Sequence, residues 1–308
     1  MSSLEDKNGQ ERRGSLLIAV VVALSVVTML ALSLAARLRA EAAASDEGRY
    51  RRETRLACRN AVMLFAAQHL VADTNGWDAL GEEWSEPWER RAEEWVLRVS
   101  GDGWQTPANK TTGIRDESAR VPLDASAEPL LAALLRLAAR LPETAAEPLA
   151  AAIVRGAPYV CAEQLLQVPG MTPEILAAIE PLVTPFPTEY VNINTAPEKV
   201  LEAVFACAGT HDPYAARSLL SRIASFRAAG GSFTSAAPQS IAKSLGGLPS
   251  PETLLLTYCQ EKLGVETDIF SGVAEATPAR FWESGRQPGR AIFTYDRRSR
   301  RFLRWVEQ

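Results

Sequence analysis

The sequence predicts an α+β protein with a long N-terminal helix and a sheet domain interrupted by a helical insertion. Three observations carry this. Residues 15–36, "SLLIAVVVALSVVTMLALSLAA", are 22 positions without a charge, and proline-free helical patterning continues to about residue 73. A block rich in Ala and Leu begins near residue 126 and stays helical to about 250. Strand-like stretches flank that block on both sides, which places the chain in the α+β class.

The leader, residues 1–14, is the polar run "MSSLEDKNGQERRG". The apolar stretch behind it is long enough, at 1.5 Å per residue, to cross a hydrocarbon core about 30 Å thick. It exceeds a secretory h-region of roughly 7–15 residues, the rival being small-residue cleavage after Ala44. Arg12 and Arg13 precede the span and Arg37 and Arg39 follow it, so basic flanks do not fix its orientation. Beyond the membrane segment, Leu56, Asn60, Met63, Ala67 and Leu70 share one helical face. Arg51, Arg52, Glu53, Arg55 and Arg59 supply the solvated side, and "DTNGWD" ends the helix with turn formers.

Residues 84–125 hold Trp84, Trp88, Trp95 and Trp104, expected as core and sheet cover. Trp84 and Trp88, four apart, suggest a short amphipathic helix. "EEWVLRVSGDGWQT" reads as a strand followed by a Gly-Asp-Gly turn. "GIRDESARVPLD" (113–124) reads as two short extended pieces around a turn at Asp116, Glu117 and Ser118, with Pro122 arguing against a central strand. After the helical block, "FTSAAPQSIAKSLGGLPSPE" is loop and turn material and "VETDIFSGVAEAT" has strand character. The C-terminus, "RAIFTYDRRSRRFLRWVEQ", reads as a hairpin turning at "DRRSR". Its arginines (Arg297, Arg298, Arg300, Arg301 and Arg304) are expected on solvated turn and strand faces.

Two joints stand out inside the insertion. "LLQVPGMTPEILAAI" (165–179) predicts a helix, a hairpin at Pro169-Gly170 and a second helix. In "TEYVNINTAPEKVLEAV" (188–204) a β-rich run carrying Asn192 and Asn194 feeds a helix, with Thr195 and Glu198 spaced as a capping box.

Composition narrows the function. The 308 residues are 47 % hydrophobic and 23 % charged, with a net charge of −4 that disfavours a broad basic nucleic-acid surface. His69 and His211 lie far apart, and no HExxH, CxxC, GxSxG, P-loop or GxGxxG motif occurs. The expectation is a protein that is not an enzyme. Cys58, Cys161, Cys207 and Cys259 lack zinc-site spacing and read either as buried thiols or as one or two disulfides.

The Arg-Arg-Gly directly before the apolar span, "RRGSLLIAVVVAL", resembles a prepilin-type signal. That resemblance implies cleavage after Gly14 by a prepilin peptidase and N-methylation of Ser15. With "IRDESARVPLD" and "AEQLLQVPGMTPEILAAIEPLVTPFPTEYVNINTAPEKVLEAV", the chain resembles the K-type minor pseudopilins of type II secretion, the general secretion pathway protein K family. The resemblance covers nearly the whole chain and is most specific over 162–204. It implies a pilin-like sheet domain on a spine helix, interrupted by a helix-hairpin-helix or SAM-like insertion. The parts would be a leader (1–14), a transmembrane segment (15–36), the periplasmic half of the spine (37–73), the first half of the sheet domain (74–125), the insertion (126–250) and the C-terminal half (251–308).

The implied role is a single-pass inner-membrane protein with its C-terminal domain in the periplasm. It would join I- and J-type minor pseudopilins at the pseudopilus tip, help initiate assembly, and touch cargo or the secretin. Ala19 stands where major pseudopilins carry a glutamate; K-type members commonly lack it, and a carboxylate in lipid is expensive unless paired. The family's Asp-Glu-x-Gly-x-x-x-Leu-Asn pattern runs from Asp116 to Asp124, with Ala119 and Asp124 replacing its Gly and Asn. Some members bind calcium. Asp116, Glu117 and Asp124 offer oxygens, but six to eight are needed and the sequence assembles no such set.

Residues 190–235 also resemble competence-type helix-hairpin-helix DNA receptors, through "INTA" and "FRAAGGSFTS". Between the helices stands "ACAGTHDPYAA" rather than a tight Pro-Gly loop. Residues 160–250 carry five Lys/Arg against seven Asp/Glu, a balance of −2 that suits phosphate binding poorly. A nucleic-acid partner is therefore not expected.

Overall fold

The computed structural model describes residues 3–103, 111–207, 212–281 and 287–308, with side chains from Ala19 onward except Phe281. Trp104 and His211 lie outside these residues. The chain divides into two units, residues 1–54 and 55–308.

The first unit is helical and belongs to α1 (Ser3–Ala66). Its apolar side chains, among them Val21, Leu24, Met29 and Leu32, are exposed, and it supplies the one described helix long and apolar enough to cross a membrane. The hydroxyls within the span donate back to the helix's own carbonyls, Ser25 to Val21 (2.8 Å) and Thr28 to Leu24 (2.7 Å). Both hydroxyls are thereby paired within the helix itself. Toward the end of the unit, Arg49–Glu53 and Arg51–Glu47 pair along the helix surface at i, i+4 spacing.

In the second unit α1 continues and closes with a π-turn at Ala67–Val71. Its buried face is Ala57, Cys58, Ala61, Val62, Phe65, Ala66 and Leu70. Of the face expected from the sequence, only Leu70 is buried; Leu56 is 61 % and Met63 42 % exposed, and Asn60 and Ala67 are open. The face that is buried shares one hydrophobic cluster with Ala274, Ala276 and Ala291 of the sheet, and Cys58 Sγ on it reaches the Ala274 and Gly289 carbonyls. The arginines expected on the solvated side are exposed.

The sheet is six-stranded and antiparallel, in the order β1 (Trp88–Arg91), β2 (Trp95–Ser100), β8 (Ile269–Pro278), β9 (Gly289–Asp296), β10 (Arg301–Glu307). The short β3 (Arg115–Asp116) continues the line of β2 along β8, pairing Asp116 with Phe270. Phe270, Phe293 and Tyr295 alternate inward onto α1 with Val99 and Trp84. Trp84 sits in a 3-10 turn (Glu83–Ser85) and Trp88 opens β1, so the helix expected there does not form. Trp84 packs edge-on against Phe270, with ring centres 5.2 Å apart, while Trp88 packs on Phe65 of α1.

The insertion enters through β4 (Val121–Pro122), an edge bridge compatible with its proline, and contains α2 (Glu128–Ala138), α3 (Glu143–Gly156), α4 (Pro173–Ile179), β5 (Val183–Thr184) and β6 (Val191–Asn192). It continues through α5 (Glu198–Ala206), α6 (Pro213–Ala228), α7 (Pro238–Ser244), α8 (Ser250–Cys259) and β7 (Leu263–Gly264). α7 lies inside the stretch expected to be loop, held by the buried Ile241, and helix runs past 250 to Lys262. A single hydrophobic core unites these helices. Parallel bridges tie β4 to β5 and β6 to β7. The fold is thus the α+β class expected, strands on both sides of a helical block.

Candidate functional site

Among the described residues nothing gathers a nucleophile, a base and an oxyanion donor. What the structure does gather is a buried polar joint between sheet domain and insertion, built on the residues singled out at "NINT". Asn192 ends β6 fully buried. Its Nδ2 donates toward the Asp78 carbonyl (3.1 Å), Asp116 Oδ2 (3.0 Å) and Thr267 Oγ1 (3.2 Å), while its Oδ1 accepts from the Asn194 N–H (2.9 Å). Asn194 then clasps residue 233 on both sides, Nδ2 donating to the Phe233 carbonyl (2.9 Å) and Oδ1 accepting from its N–H (2.7 Å).

Thr195 donates its hydroxyl to Asp116 Oδ2 at 2.5 Å. It does not cap a helix. α5 begins at Glu198 with Pro197 before it and no side-chain cap, so the expected capping box does not form. The hydroxyl is committed to the buried carboxylate, and Pro197 has no N–H to donate to a capping oxygen. Glu198 is exposed.

Two further acids complete the joint. Asp78, in the loop after α1, receives both Nη groups of Arg297 at 2.9 Å and the Thr267 N–H at 2.7 Å. Arg297 therefore departs from the expected solvated arginines. Glu117 accepts from Thr184 Oγ1 of the insertion (2.5 Å) and from Ser271 Oγ of β8, with Arg120 at 3.6 Å. Neighbouring acids thus hold the insertion at two points. Burial pushes both Asp78 and Asp116 up to about 6; Arg297 opposes this at Asp78, and Thr195 opposes it at Asp116.

Pro169-Gly170 forms the expected hairpin between a 3-10 turn (Ala162–Gln167) and α4. Gly170 takes φ +90°, a left-handed conformation suited to glycine. Around the hairpin the Val168 N–H donates to the Leu165 carbonyl and the Met171 N–H to that of Val168, and Thr172 caps α4. At the second joint, the Thr195 and Ala196 N–H groups both donate to the Asn192 carbonyl. These donors are engaged within the protein rather than turned toward a phosphate. Gly14 and Ser15 fall within α1.

Calcium does not fit the acids in this arrangement. Asp116 and Glu117 are taken as above, and Asp124 caps Ser126. Oxygens of Asp73, Asp78 and Glu82 do converge within 4.8 Å of one another. Both Asp78 oxygens already accept from Arg297, however, and Glu82 accepts from Asn75, the Ala79 N–H and Trp84 Nε1. Asp78 and Glu82 are thus engaged by nitrogen donors, whereas calcium takes six to eight oxygen ligands. The four cysteines are free; Cys58 and Cys259 are buried, and burial pushes both up to about 12.

Sequence reasoning found Asn192, Asn194 and Thr195 but missed Asp78, Thr267 and Arg297. Their only signal was polarity next to strands, because their partners lie up to 219 positions away.

No protein-family model matches the chain, and no curated protein matches it. Among solved structures, a chain in the crystal structure of the GspK-GspI-GspJ complex from the enterotoxigenic Escherichia coli type 2 secretion system is similar. It is 16 % identical with a TM-score of 0.54, over 88 % of this chain and 99 % of that one. At that identity the likeness shows a shared fold.

Proposed function

We propose that this chain is a K-type minor pseudopilin of a type II secretion system, a structural subunit rather than an enzyme. The observation that carries this reading is a fold likeness over 88 % of this chain and 99 % of a chain from the GspK-GspI-GspJ complex. The N-terminal motif and the exposed apolar helix support an inner-membrane anchor, with the sheet domain and insertion in the periplasm. In this reading the chain joins I- and J-type subunits at the tip of the pseudopilus and helps start its assembly. The polar joint keeps insertion and sheet in one fixed relation, as a subunit at a tip requires if its neighbours are to meet one shape.

The test is the N-terminus of the mature protein, by intact mass and N-terminal sequencing from native membranes in which the prepilin peptidase is active. The expected product begins at N-methylated Ser15. An N-terminus at Ser45, or an unprocessed Met1, would refute the prepilin reading.

A further inference from the structure

Asn75 and Gly76 lie exposed in the loop that follows α1. Hydrogen bonds fix the asparagine on three sides. The Trp77 N–H donates to its Oδ1 at 3.0 Å, its Nδ2 donates to Glu82 Oε1 at 2.5 Å, and its own N–H donates to Asp73 Oδ1 at 3.1 Å. Gly76 takes φ +76°, in the left-handed region that favours glycine. The N–H groups of Asn75 and Trp77 on either side are engaged, but that of Gly76 meets no acceptor among the described residues.

We propose that Asn75-Gly76 is a self-modification site, at which the Gly76 nitrogen attacks Asn75 Cγ and the side-chain amide is lost as ammonia. The nucleophile is available. An exposed N–H without an acceptor yields its proton to a solvent base without breaking a protein hydrogen bond, and a residue with no Cβ leaves that nitrogen uncrowded. The electrophile is prepared, because the Trp77 N–H polarises the side-chain carbonyl and meets the charge that gathers on Oδ1 as the tetrahedral centre forms. The step balances without an oxidant. A bond forms between Cγ and the Gly76 nitrogen, the Cγ–Nδ2 bond breaks, and Nδ2 leaves as ammonia with a proton from water in place of the one that Gly76 gave up. Water then opens the five-membered imide to aspartate or its β-linked isomer.

The product acts on Glu82. An amide that donated to its Oε1 becomes a carboxylate facing it, in a cluster where oxygens of Asp73, Asp78 and Glu82 already lie within 4.8 Å of one another. Glu82 also accepts from Trp84 Nε1 at 2.7 Å and from the Ala79 N–H, so repulsion there loosens the loop that seats Trp84. The modification is a one-way switch on this corner of the sheet domain. It goes beyond the assembly role proposed above and does not rest on it.

The test incubates the full chain in detergent and mildly alkaline buffer, beside the same chain unfolded in urea, and follows residue 75 by peptic mapping in acid. The expected result is amide-to-acid conversion at Asn75 at least as fast in the folded chain as in the unfolded one. Part of the product should be a substrate for an isoaspartate-specific methyltransferase. Asn75→Gln, whose amide would have to close a six-membered ring, should stay unconverted over the same interval. Asn75→Asp, which places the charge in the loop directly, should speed amide hydrogen exchange over residues 77–84 by about tenfold. Conversion slower in the folded chain by about tenfold or more, which is about 1.4 kcal/mol of protection, would overturn the proposal. So would conversion only at other asparagines, or unchanged exchange in Asn75→Asp.

Discussion

Asp78 and Arg297, 219 positions apart in the chain, form a two-point ion pair with both contacts at 2.9 Å. The carboxylate is almost wholly buried, while the guanidinium keeps one edge toward solvent. The pair fastens the turn between β9 and β10 to the loop after α1, and Thr267 and Asn192 extend the same network into the insertion. A C-terminal hairpin, a loop near residue 78 and the "NINT" joint thus meet at one point.

Removing the cation should be costly because it strands the acid. Arg297→Ala should destabilise the protein by about 3–5 kcal/mol, the usual penalty for breaking a buried pair. Arg297→Lys, which keeps charge but loses the two-point geometry, should lie between that variant and the parent. Urea unfolding followed by circular dichroism measures both.

The two readings of the "NINT" joint separate cleanly. Thr195→Val removes a hydroxyl that donates to a buried carboxylate and should cost about 1–3 kcal/mol. Glu198→Ala removes a side chain that caps nothing and should stay within about 0.5 kcal/mol of the parent. A cost near 1 kcal/mol for Glu198→Ala would instead indicate a working cap.

Asp78 and Asp116 give the joint a pH signature. Both are raised to about 6 in the folded protein, against roughly 3.9 in an unfolded chain. Between these values the unfolded state has released protons that the folded state retains. Their contribution therefore favours folding below about pH 4, declines as pH rises toward 6, and stays at its least favourable above that. The decline should be of the order of 3 kcal/mol per group at most. Asp116→Asn removes one of the two titrations. The stability difference between parent and variant should accordingly move against the parent from pH 4 to 6 and be flat above 7.

Much of the fold was legible in local pattern. The apolar run gave the N-terminal helix, alternation gave β2, β8 and the closing hairpin, and Pro169-Gly170 gave its turn. The buried face of α1 was not legible, because Ala57 and Ala61 earn their places only against Ala274, Ala276 and Ala291, far along the chain. Trp84 and Trp88 shared helical spacing but were claimed by different partners, Phe270 and Phe65. Thr195 and Glu198 matched a capping box by spacing, and only the arrival of Asp116 from another segment redirected the threonine. Patterning reports periodicity; it carries no trace of which distant carboxylate a hydroxyl will meet.

Close backbone approach adds a further prediction. At Gly113, whose N–H donates to the Ser85 carbonyl at 2.9 Å, an added Cβ would overlap the Ser85 backbone. Gly113→Ala should cost about 1–3 kcal/mol, since backbone cannot swing aside as a side chain can. Gly81→Ala, with open space around it, should be nearly neutral, and urea unfolding measures both.

The most direct test of the pseudopilin account is co-assembly. The full chain would be co-expressed with the I- and J-type minor pseudopilins of its own secretion system, purified through a tag on this chain, and weighed by native mass spectrometry. The account predicts a complex containing one copy of each subunit. Recovery of this chain alone, under conditions where the I- and J-type subunits are expressed and pair with each other, would contradict it.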